Sequence, residues 1–119
     1  MLTIEKLRAY GADVKEGLGR CMNNEAFYLR LVNMAAGDGG FARLRDALEK
    51  GDRKAGFEAA HALKGMLGNL SLTPLSEPVS QLTELLRSEQ ADAGQEETAA
   101  LRERIEEAFD RLQSMIHED

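Results

Sequence analysis

Apolar residues in this chain recur three and four positions apart in segment after segment, and nowhere alternate long enough to make a strand. That period confines the fold to helices packed through apolar stripes. A first helix is expected from Thr3 to Tyr10, ended by Gly11, with a second short turn from Asp13 to Leu18. Asn24 is a good N-cap for the next helix, whose apolar side is read as Phe27, Leu31, Val32 and Met34, until Gly37-Asp38-Gly39-Gly40 breaks it. Phe41, Leu44, Ala47 and Leu48 mark another, and Gly51-Asp52 separates it from a helix over 53–70 that Ser71 to Pro74 closes. Leu75, Val79, Leu82, Leu85 and Leu86 give one more, in which Pro78 either introduces a kink or begins the helix. Ser88 to Gln95 reads as a polar connection, and Glu96 to Ile116 as the last helix, with Leu101, Ile105, Phe109, Leu112 and Ile116 on one stripe.

Long amphipathic helices joined by short connections bury their stripes most economically as an antiparallel bundle. The expected fold is all-α, an antiparallel four-helix bundle with additional short N-terminal helices. At 119 residues and 43% hydrophobic composition there is room for one domain, with 1–22 as a helical extension and 23–117 as the bundle. A net charge of −6 argues against nucleic acid or an anionic membrane surface as the main partner, because both demand a basic patch. Cys21 is the only cysteine, so no internal disulfide forms. The opening residues lack the apolar core of a signal peptide, and no apolar run approaches the roughly 18 residues needed to span a bilayer. A cytoplasmic monomer is expected, its stripes consumed within the bundle.

The run Ala59-Ala60-His61-Ala62-Leu63-Lys64-Gly65-Met66-Leu67-Gly68-Asn69-Leu70 carries the chemistry. At about 100° per residue, Ala59, Leu63, Met66, Leu67 and Leu70 cluster opposite His61, so His61 points outward. Lys54, Phe57, Lys64, Gly65 and Gly68 share its side. A glycine inside a helix costs roughly 1 kcal/mol relative to alanine. Two of them on one exposed face either allow close packing of a neighbouring helix or let a second protein approach the imidazole.

With Asn69, these residues resemble the signature of the histidine-containing phosphotransfer (HPt) domain. The likeness continues in Val14-Lys15-Glu16-Gly17-Leu18, in Asn24 to Leu31 and in the stretches Phe41 to Leu48 and Gly51 to Ala60, so that the chain from Val14 to the early nineties is similar to the family pattern. The resemblance implies that His61 accepts a phosphoryl group from the aspartate of a response-regulator receiver domain and passes it to, or back to, another. A hybrid or sensor histidine kinase stands in the same relay. Magnesium is expected only from the partner receiver, and this chain needs no cofactor or metal of its own. A Gln or Glu of the following helix often lies near the phosphorylation site in the family; here Thr83 falls at the expected offset, with Gln81 nearby. Ser71 departs from the glycine common at the end of the histidine helix, so a different helix end is expected.

The residues by themselves support part of this. A neutral imidazole with an ordinary pKa near 6.5 is a competent nucleophile. No glycine-rich phosphate loop occurs, so autophosphorylation from ATP is not expected. Lys64, one turn from His61, can stabilise charge on transferred oxygens. Gly65, Gly68, Phe57 and Lys54 are the expected docking surface, with Gln81, Thr83 and Asn69 as further candidates, and His117 reads as an exposed tail residue. The alternative function is a bundle that binds a receiver or kinase without carrying phosphate.

Overall fold

In the computed structural model, which describes residues 1–87 and 94–118, the chain forms seven helices among the described residues: α1 Ile4–Tyr10, α2 Val14–Arg20, α3 Glu25–Ala36, α4 Gly40–Lys50, α5 Arg53–Asn69, α6 Thr73–Arg87 and α7 Gln95–His117. Their starts follow from side-chain chemistry. Thr3, Asp13, Asn24 and Asp52 each accept a hydrogen bond from a backbone N–H in the first turn, satisfying donors that have no partner inside the helix. Most of the predicted Ser88–Gln95 connection lies outside the described residues; Gln95 itself belongs to α7.

α4, α5, α6 and α7 run antiparallel in succession. Going up α3 and α4, Ala36 meets Gln113, Phe41 meets Phe109 and Glu49 meets Arg102, so the last helix descends along the first wall of the bundle. α3 and α4 therefore share one side, interrupted at Gly37–Gly39. A side chain at Gly40 would bring a Cβ 3.0 Å from Leu63 Cδ2, and the Gly40 N–H is bonded to Asp38 Oδ2 at 2.7 Å, so the start of α4 packs tightly against α5. The core is continuous through Tyr28, Val32, Leu44, Leu63, Leu67, Leu75, Val79, Leu82, Ile105 and Leu112. At roughly 1.5–3 kcal/mol per buried large aliphatic side chain, this is the main force holding the helices together.

Two expectations are corrected here. The inward face of α3 is Tyr28, Val32, Ala35 and Ala36, while Phe27 and Met34 are 41% and 64% exposed and Leu31 is half-buried. The buried set keeps the i, i+4, i+7, i+8 spacing and places the Tyr28 hydroxyl where it donates to the Leu70 carbonyl at 2.7 Å. Pro78 does not begin α6, which starts at Thr73; it is buried inside that helix, four residues after Pro74 in the opening turn.

Candidate functional site

α5 owes its orientation to small residues. Gly56, Ala59, Ala60, Leu63 and Leu67 are buried, and His61, Ala62, Gly65, Gly68, Asn69 and Lys54 are exposed, as the 3.6-residue period requires. Met66, expected in the stripe, is only half-buried. The glycines of this helix have two different environments. A Cβ on Gly56 would stand 3.3 Å from Leu86 Cδ1, so that position serves the close contact of α5 with α6. A Cβ on Gly65 or Gly68 would meet nothing within 4 Å. Close packing inside the molecule therefore does not explain the second pair.

His61 stacks on the half-buried ring of Phe57, with centroids 5.7 Å apart and planes 17° from parallel. The Arg87 guanidinium lies 5.0 Å from the centroid of the same Phe57 ring, so α6 reaches the histidine face through a cation held against an aromatic ring. Lys64 Nζ lies 3.6 Å from Glu84 Oε1, and Arg87 Nε donates to Glu84 Oε2 at 3.2 Å. The Arg87 hydrogen bond and charge hold the Glu84 carboxyl below the usual carboxylate range, with smaller help from Lys64. Lys54 sits free of these contacts' geometry, two turns before His61 on the exposed side.

The far end of α5 is closed by the N-terminal extension. Ser71 has φ 54, the left-handed conformation that favours glycine, and Leu72 N–H bonds back to the Leu67 carbonyl at 3.1 Å. The left-handed turn that glycine favours thus forms here on a serine. The Ser71 hydroxyl donates to Glu16 Oε1 at 2.9 Å and accepts from Arg20 at 2.7 Å, and its carbonyl accepts from the Asp13 N–H at 2.9 Å. Arg20 also donates to the Gly68 and Asn69 carbonyls, at 3.0 and 3.3 Å. Asn69 is the last residue of the helix, and its backbone takes part in this closure.

Neither residue expected from the following helix stands at the histidine. Thr83 is fully buried and its hydroxyl donates to the Val79 carbonyl at 2.8 Å. Gln81 is exposed and accepts from Arg104 of α7 at 3.2 Å, so it faces the opposite neighbour. The residues that do reach the α5 face, Glu84 and Arg87, were missed. The α6 wheel contained the signal, since Thr83 falls about 40° from Val79 at the edge of the apolar stripe and Glu84, about 100° further round, leaves it. His117, as expected, is exposed at the end of α7, within 3.2 Å of Gln113.

A family model described as Hpt domain matches residues 37–115, from the break before α4 nearly to the end of α7 and with His61 inside it. The chain belongs to the Hpt domain family, a family of histidine phosphotransfer carriers that interact with receiver domains and histidine kinases in two-component phosphorelays. No match was found among curated proteins or among solved structures. Compared with the resemblance from Val14 to the early nineties, the match begins later and extends further into α7. No helix among the described residues is long and apolar enough to cross a membrane.

Proposed function

We propose that His61 is the phosphoryl acceptor of a phosphorelay, taking the group from a receiver-domain aspartate and passing it to, or returning it to, another receiver. The observation that carries this reading is an exposed imidazole braced by Phe57 beside two helical glycines with open space in front of them. In the transfer, a lone pair of a neutral ring nitrogen forms the N–P bond while the acyl-phosphate O–P bond breaks. The electron pair leaves with the aspartate carboxylate, and the second ring nitrogen keeps its proton until it exchanges with solvent. Lys64, one turn away, supplies positive charge to the transferred oxygens. Gly65, Gly68, Phe57 and Lys54 form the docking surface, and the partner receiver brings the magnesium ion. The chain works as a cytoplasmic monomer that turns over no substrate of its own.

Incubation of the wild type and the His61→Gln variant with radiolabelled phospho-receiver domains tests the reading. Acid-labile, alkali-stable label on the wild type alone is the expected result. Receiver binding with no label on either protein would replace the carrier with a regulator that only binds.

A further inference from the structure

At rest the Lys64 ammonium is paired with Glu84 across the α5–α6 seam at 3.6 Å. Glu84 is held in turn by Arg87, whose Nε and Nη2 donate to the two carboxylate oxygens at 3.2 and 3.3 Å. Arg87 is further positioned by the Phe57 ring, the same ring on which His61 stacks. We propose that Glu84 is a positioning residue that parks Lys64 on α6 until phosphate arrives at His61, and that Arg87 keeps the Glu84 carboxylate paired when Lys64 leaves.

Three features support the exchange. The Lys64 and Glu84 side chains are 39% and 56% exposed, so their pairing is weak enough for an incoming dianion one turn away to displace. The bidentate guanidinium grip on Glu84 survives that displacement, so no carboxylate is left unpaired. Phe57 and Arg87 also tie the α6 side of the device to the imidazole that starts it, rather than to a distant part of the surface. This inference rests on the phosphocarrier reading and adds control of the lysine to it.

Phosphoramidate is the probe, since it phosphorylates an imidazole without a receiver: the new N–P bond forms as the P–N bond of the reagent breaks and ammonia leaves. In a His117→Gln background, where His61 is the only histidine, 31P NMR gives the rate of labelling. Glu84→Gln should label about two- to fivefold faster than the parent, the range that release of one surface ion pair supports. In a Lys64→Gln background the same substitution should change nothing. An equal acceleration with and without Lys64 would overturn the proposal, because Glu84 would then act directly on the incoming anion. No acceleration in either background would also overturn it. Failure of the carrier reading has a different signature: phosphoramidate labels His61 while phospho-receivers do not.

Discussion

Arg20 donates to the carbonyls of Gly68 and Asn69, so the N-terminal extension neutralises the exposed end of the very helix that presents His61. The last carbonyls of a helix lack intrahelical partners and carry partial negative charge, which a guanidinium satisfies. Arg20→Ala should therefore cost about 1 kcal/mol, a value discounted for the 46% exposure of the side chain, and lower the melting temperature by about 3–5 °C. His61 labelling should remain. Thermal melts followed by circular dichroism check the first expectation, and an unchanged melt would show that water replaces Arg20 without loss.

Glycines at two places should respond oppositely to a methyl group. A Cβ on Gly17 would stand 2.6 Å from the Tyr28 ring, itself fully buried and fixed by its bond to Leu70. Gly17→Ala should destabilise by about 1–3 kcal/mol through overpacking. Gly65→Ala meets nothing and should stabilise by up to about 1 kcal/mol through helix propensity. Urea midpoints of the two variants measure both effects, and a destabilised Gly65→Ala would contradict the open face.

At high pH the two tyrosines set the limit. Burial pushes Tyr28 up to about 12 and Tyr10 further upward, against the lowering effect of Arg111 on Tyr10. Their folded values exceed the unfolded one near 10, so their contribution is complete below pH 10 and is lost as pH rises through the folded values. Absorbance at 295 nm should show little tyrosinate at pH 10.5 in the folded protein and about three-quarters of the full signal in urea.

At low pH the sign reverses. The Ser71 hydrogen bond, then the Arg20 hydrogen bond and charge, hold the Glu16 carboxyl below its ordinary 4.5. Its contribution is present above that pH and is lost as pH falls through the folded value. Denaturation midpoints between pH 6 and pH 3 should therefore drop less in Glu16→Gln than in the wild type.

The histidine face was legible because a single helix carries it: His61, Lys64, Gly65 and Gly68 are placed relative to one another by the helical period alone. What the period could not supply was the partner across the seam. Thr83 and Gln81 were chosen by counting an offset, whereas packing of Val79, Leu82 and Leu86 into the core turns Glu84 outward instead. On α3, apolar residues lie on more than one face, and the contest is settled by tertiary contacts. Tyr28 reaches the Leu70 carbonyl and Ala36 lets Gln113 come close enough to bond its carbonyl at 2.8 Å, which leaves Phe27 and Met34 in solvent.

On the phosphocarrier reading, the open glycine face beside His61 serves the approach of a macromolecular phosphodonor. Gly65→Leu separates that role from the chemistry of the imidazole, when its labelling by phospho-receivers and by phosphoramidate is measured on the same preparation. Transfer from receivers should fall by about an order of magnitude or more while the small reagent labels His61 at nearly the parental rate. Undiminished transfer from receivers would contradict it.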